Sequence, residues 1–122
     1  MANILIADDS KFMRMMLREI LATEGHKIVA EASSGEDTIK LYAKFRPDVV
    51  TMDIVMPEPN GIECVRRIRE FDPHAKIVMV TALGQEAMVV EALKAGASDF
   101  VIKPFKVEKV IQAVDKTLSI AR

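Results

Sequence analysis

The 122 residues are enough to bury one good core and too few for two, so a single unit over residues 1–122 is expected. Half of the residues are hydrophobic, 29% are charged and the net charge is −1, which excludes a disordered chain and offers no basic excess for nucleic acid. No apolar run nears the roughly 20 residues that a membrane span needs, and Met1-Ala2-Asn3 lacks the regions of a signal peptide, so the cytoplasm is the expected compartment and no membrane contact is expected.

In chain order, Ile4-Leu5-Ile6-Ala7 is a short apolar run of the kind that forms a buried strand, and Asp8-Asp9 follows it. A helical segment runs from there to Gly25, where a left-handed stop is available. Ile28-Val29-Ala30 is the second apolar run. Ser34, with Asp37 three residues on, opens a second helix, and the Arg46-Pro47 step closes it because the residue before proline resists helical geometry. Val49-Val50-Thr51-Met52 is the third run and leads into Asp53; Asn60 before Gly61-Ile62 then starts the third helix. Ile77-Val78-Met79-Val80 leads into Thr81, and Gly96 ends the helix that follows. Phe100-Val101-Ile102 leads into Lys103, and the last helix carries Val107, Val110, Ile111, Val114 and Leu118 on one face.

Five alternations of strand and helix imply an α/β, doubly wound fold: a five-stranded parallel sheet with helices on both faces, because each right-handed crossover lays its helix against the sheet. In such sheets the carboxyl ends of the strands form the ligand crevice. Asp8, Asp9, Asp53, Thr81 and Lys103 should therefore meet on one edge. A strand-end aspartate often only caps a helix, and a strand-end lysine is usually solvated; the five together carry more weight than any one.

Three carboxylates in one place repel unless a cation or a proton relieves them. Oxygen donors favour a hard ion, and few protein oxygens with room for a phosphate favour Mg²⁺ over Ca²⁺. Beside such an ion a carboxylate can attack a phosphoryl group to form an acyl phosphate. Asp53 is the expected nucleophile, since it stands alone after the third strand while Asp8-Asp9 form a pair suited to the metal. Lys103 supplies positive charge and Thr81 a hydroxyl. Cys64 stands alone, which excludes an internal disulfide and a four-cysteine site, and His26 and His74 lack the spacing of a zinc pair.

Through Ile4 to Ser10, Asp53-Ile54-Val55-Met56-Pro57 with Asn60-Gly61, Val80-Thr81-Ala82, and Ala95-Gly96-Ala97 on to Lys103-Pro104-Phe105, the chain resembles the receiver domains of two-component response regulators. The resemblance implies a flavodoxin-like strand order 2-1-3-4-5 with five helices. It implies phosphorylation of Asp53 by a sensor histidine kinase, Mg²⁺ held by Asp9, Asp53 and the backbone carbonyl of Val55, with Asp8 acting through water, and a Lys103-Pro104 bond that is cis. It implies that Thr81 and Phe100 form the switch, with no hydroxyl on the ring, and that the chain promotes its own phosphorylation and dephosphorylation. Lys11 to Leu17 and Gly84 to Met88 are similar to the single-domain chemotaxis type, whose expected partner is the flagellar motor switch, with a possible phosphatase and a monomeric state.

The fourth helix adds an expectation of its own, because Met88, Val89, Val90, Ala92 and Leu93 cover an arc of roughly 200° on the helical wheel, wider than one packed face. Met88, Val89 and Phe100, with the last helix, are the expected partner face, with Val89 exposed. Of the first-helix methionines, Met16 is expected in the core and Met13 is left open. Val55 and Leu83, two residues beyond Asp53 and Thr81, are apolar and cannot position an attacking water, so hydrolysis of the acyl phosphate should be slow. Rival readings are a phosphorelay intermediate, an excised receiver of a larger regulator, and a Mg²⁺-dependent phosphatase; the last lacks a second carboxylate after Asp53. Flavin binding is disfavoured by aspartates where a phosphate cradle needs amides and hydroxyls.

Overall fold

The structure, a computed structural model, describes residues 1–120. Ten elements alternate: β1 (Asn3–Ala7), α1 (Lys11–Thr23), β2 (Lys27–Ala32), α2 (Gly35–Phe45), β3 (Val49–Met52), α3 (Gly61–Phe71), β4 (Ile77–Thr81), α4 (Glu86–Ala95), β5 (Asp99–Ile102) and α5 (Val107–Leu118). All strand pairs are parallel and the order is β2-β1-β3-β4-β5, as expected.

Side chains alternate across a strand, so each apolar run supplies both faces of the sheet. Leu5, Val50, Met52, Ile77 and Met79 face α2, α3 and α4, where they pack with Tyr42, Ile62, Val65, Ile68 and Ala92. Ile4, Ile6, Val49, Val78 and Val80 face α1 and α5, where they meet Leu17, Leu21, Val110 and Val114.

The helix starts follow the local signals. Ser34 Oγ accepts the Asp37 amide at 3.1 Å and Asn60 Oδ1 accepts the Glu63 amide at 3.0 Å, each satisfying one orphan donor of the first turn. Gly96 ends α4 at φ 119°, and Arg46 ends α2 at φ 43°. Arg46 bears that left-handed backbone with its guanidinium 3.3 Å from Asp72 and over the ring of Phe71, contacts that hold the turn before Pro47.

Three expectations are corrected by packing. β2 and β5 lie at the two sheet edges, so Ile28, Val29 and Ala30 are half-buried and Ile102 is exposed, while Val101 stays buried. Met13, not Met16, packs against the α1–α5 side of the core; Met16 is half-buried outside that cluster. In α4, Val89 is half-buried and Met88 packs against the core, whereas Val90 and Leu93 are the exposed apolar residues. Only Ala92 of that helix is fully buried, and it sets the rotation that turns Val90 and Leu93 outward.

Candidate phosphoacceptor site

The strand order places the site. β1 lies between β2 and β3, so the chain winds outward in two directions from it and opens a crevice at the carboxyl ends of β1 and β3. Asp8 and Asp53 leave these two strands side by side, since Ala7 is in register with Met52 and the Asp53 amide donates to the Ala7 carbonyl at 3.0 Å. Thr81 ends β4, and the Lys103 amide donates to its carbonyl at 2.8 Å as β5 ends beside it.

Lys103 joins the two carboxylates: its Nζ lies 2.7 Å from Asp8 Oδ2 and 2.9 Å from Asp53 Oδ2. Asp8 is buried, and burial pushes its carboxyl above the ordinary range, against the pull of Lys103 and of the Ser10 amide on Oδ1. Burial also pulls the Lys103 ammonium down, but its hydrogen bonds to Asp8 and Asp53 outweigh that and leave its pKa raised, so it stays charged.

Asp9 is exposed at the rim, and oxygens of Asp8, Asp9 and Asp53 all lie within 4.8 Å of one another. Three carboxylates against one ammonium leave two negative charges, which match a divalent cation, and the donors are all oxygen. The residues thus fit a hard ion such as Mg²⁺.

Thr81 is fully buried, and its Oγ1 accepts the Leu83 amide at 3.3 Å, which leaves the hydroxyl proton to donate elsewhere. The Val55 amide donates to Asp53 Oδ1 at 3.3 Å, while the Val55 side chain is exposed. The Lys103-Pro104 bond is cis, and so is Glu58-Pro59. Phe100 is half-buried against the α2–α4 side of the core and lines a groove of about 470 Å³ between β5 and α5, together with Ile102, Phe105, Lys109 and Lys116. Met88, Val89 and Phe100 are thus not a flat exposed patch; the open apolar surface nearby belongs to Val90, Leu93 and Ile102.

Sequence reasoning did not reach Arg14, whose Nη1 donates to the Asp8 carbonyl at 2.7 Å. It also missed how the loop from Asp53 to Asn60 is held. Gly35 donates its amide to the Pro57 carbonyl and Gly61 to that of Ile54, both at 2.8 Å. Cys64 lies under the same loop, 3.4 Å from the Pro59 carbonyl, where burial pushes its thiol up to about 11 and keeps it protonated.

Comparison with known proteins agrees with this geometry. The chemotaxis protein CheY of Thermotoga maritima is 49% identical over 114 residues, covering 93% of this chain and 95% of that protein. CheY of Bacillus subtilis is 47% identical over 117 residues, covering 96% and 98%. Among solved structures, the CheX-CheY-BeF3-Mg+2 complex from Borrelia burgdorferi superposes with a TM-score of 0.93 at 39% identity, covering 97% of this chain and 90% of that one. No helix among the described residues is long and apolar enough to cross a membrane. The profile of the response regulator receiver domain matches residues 4–115, and the chain belongs to that family.

Proposed function

We propose that this chain, as a receiver unit over residues 1–122, accepts a phosphoryl group on Asp53 from a phosphohistidine of a sensor kinase and relays it to a partner as a change of shape. The observation that carries this is the single ammonium of Lys103 between carboxylates from two strand ends. In the transfer a carboxylate oxygen of Asp53 attacks phosphorus, the phosphorus–nitrogen bond breaks, and the imidazole leaves with its electron pair. Lys103 is placed to follow the developing charge from Asp53 onto the phosphoryl oxygens. Asp9, Asp53 and the Val55 carbonyl would hold Mg²⁺ directly, with Asp8 through water, and the ion would supply positive charge against the same oxygens.

Thr81 and Phe100 form the switch in this account. The Thr81 hydroxyl turns to donate to a phosphoryl oxygen, and the Phe100 ring follows into the space released. Moving a population from 1:99 to 99:1 takes about 5.5 kcal/mol. A new charge-assisted hydrogen bond from Thr81, at roughly 1.5–3 kcal/mol, and the exchange of Lys103 from the Asp53 carboxylate to the phosphoryl oxygens both contribute toward that difference. The partner is taken to be the flagellar motor switch of a chemotaxis pathway, in the cytoplasm, with the receiver acting as a monomer. To test the phosphoacceptor, the protein is labelled by an autophosphorylated histidine kinase and the acyl phosphate is trapped with borohydride. Peptide mapping should find the reduced residue at 53; reduction at 8 or 9, or a base-stable label, contradicts the assignment.

The effector surface is placed on α4, Phe100 and α5, and the exposed residues Val90 and Leu93 are its most testable members. Val90→Glu and Leu93→Glu should each weaken binding of the motor protein at least tenfold while Asp53 labels normally, because a charge then sits in an apolar contact. Binding within twofold of wild type in both variants moves the surface elsewhere.

Hydrolysis should be slow, because Val55 and Leu83 give no side chain to orient water; a separate phosphatase would then be needed to end the signal quickly. Val55→Asn and Leu83→Glu should each shorten the lifetime of the phosphorylated protein several-fold, as followed by loss of label after the donor is removed. Unchanged or longer lifetimes in both remove the idea. Leu83 packs against the core, so Val55, exposed and adjacent to the phosphoacceptor, is the cleaner of the two sites.

A further inference from the structure

Arg14 sits one turn into α1, yet its side chain reaches back to the acidic site. Nη1 donates to the Asp8 carbonyl at 2.7 Å, and Nε lies 3.2 Å from Glu31 Oε1. Both side chains are largely covered, at 17% and 21% exposure. Glu31 is on β2, in register with Ile6 of β1, and its other oxygen pairs with Arg18, so the brace is tied to the sheet at one end and to α1 at the other.

The Asp8 carbonyl and the Asp9 amide share one rigid peptide plane. The other polar groups of Asp8 are also fixed: its amide donates to the Ala32 carbonyl at 3.0 Å, Oδ1 accepts from the Ser10 amide at 2.9 Å, and Oδ2 faces Lys103. The Asp9 carboxylate has no hydrogen bond or ion pair among the described residues, so the backbone that carries it, which begins at this peptide plane, is the part of Asp9 that these contacts fix. Arg14 grips that plane at its carbonyl.

We infer that Arg14, braced by Glu31, is a positioning residue for the cation site: it fixes the Asp8–Asp9 peptide and so aims both carboxylates at Asp53. The inference rests on the proposed role of this cluster in holding Mg²⁺. It carries a sign that separates it from two simpler roles. An arginine acting only through its charge would repel a nearby cation, so its removal would tighten Mg²⁺ binding. An arginine that merely ties α1 to β2 would lower the melting temperature on removal and leave Mg²⁺ affinity alone. A positioning arginine gives weaker Mg²⁺ binding, because outer-shell contacts that orient ligands are worth about 10–100-fold in metal affinity.

The test measures Mg²⁺ dissociation constants by calorimetry, with melting temperatures in chelator, for the full chain and for Arg14→Met, Arg14→Lys and Glu31→Gln. Arg14→Met should weaken Mg²⁺ about tenfold. Arg14→Lys should recover part of the loss, since one ammonium can reach the Asp8 carbonyl without the fork that also holds Glu31. Glu31→Gln should weaken binding a few-fold, a sign it shares with the loss of a nearby negative charge, so Arg14→Lys, which keeps the charge and loses the fork, carries the test if Arg14→Met does not fold, with Mg²⁺ binding still weaker than wild type. In all three, Asp53 labelling by acetyl phosphate should return toward the wild-type rate at saturating Mg²⁺, which a damaged phosphoacceptor would not do. Mg²⁺ affinities equal to or tighter than wild type in these variants overturn the inference, whatever their melting temperatures. A wild-type chain that binds no Mg²⁺ overturns instead the proposed function on which it rests.

Discussion

Lys103→Met is expected to lose about a hundredfold in the rate of Asp53 labelling at saturating Mg²⁺, the usual cost of removing one positioned donor from a developing charge. The same variant should be less stable in chelator. Its ammonium is the one cation that contacts the Asp8 and Asp53 carboxylates among the described residues, and both are buried. Taking one partner from a buried pair costs about 3–5 kcal/mol, because the charge left behind is no longer compensated. The two losses should respond differently to the ion. Binding of Mg²⁺ to the folded state restores stability by mass action, so much of the melting temperature should return, while the labelling defect persists. Thermal melts with chelator and with excess Mg²⁺, run beside labelling time courses, read both effects. A variant that melts with wild type in chelator and labels at the wild-type rate would show that Lys103 does neither job.

Gly61→Ala is the second change with a large expected effect, and its cause is steric. A Cβ at this position would lie 2.0 Å from the carbonyl oxygen of Asp53, a backbone atom, so either α3 or the end of β3 has to move. The Gly61 amide also donates to the Ile54 carbonyl at 2.8 Å, which fixes how closely the helix start approaches the phosphoacceptor. Overpacking of this kind costs on the order of 3 kcal/mol, roughly 10 °C in melting temperature for a chain of this size. Gly84→Ala is the control, since its Cβ would meet Ile102 Cδ1 at 2.9 Å, the end of an exposed side chain that can turn away. It should cost under about 1 kcal/mol. Equal melting temperatures for the two variants would mean that the loop beside Asp53 yields freely, contrary to its hydrogen bonding.

The alternation of elements was legible because each apolar run is bounded by a turn or a cap, and because parallel strands require a helix between them. Once that topology is granted, Asp8, Asp53, Thr81 and Lys103 have to meet, as each follows or ends one of the adjacent parallel strands β1, β3, β4 and β5 at the same edge of the sheet. The caps at Ser34 and Asn60 were legible for the same local reason. Edge strands were not. Ile28, Val29 and Ile102 have the composition of buried residues, and only the strand order reveals that one side of β2 and of β5 has no neighbour. The rotation of α4 was not legible either: apolar residues surround much of it, so its phase is decided by which side chain the α3 neighbour and the sheet accept, here Ala92 and Met88. Arg14 gave no signal, since a long side chain that bonds a backbone carbonyl six residues earlier and a glutamate seventeen residues later follows no local pattern.

Every other role depends on one reaction, in which Asp53 takes a phosphoryl group with the help of a divalent ion held by its neighbours. Incubation with acetyl phosphate, followed by intact mass in native and Asp53→Asn protein across a Mg²⁺ titration, tests it most directly. One added phosphoryl group is expected in the native chain, appearing only with Mg²⁺ and absent from Asp53→Asn at every concentration. Equal labelling of the two proteins, or labelling of the native chain that is indifferent to the ion in chelator, would contradict it.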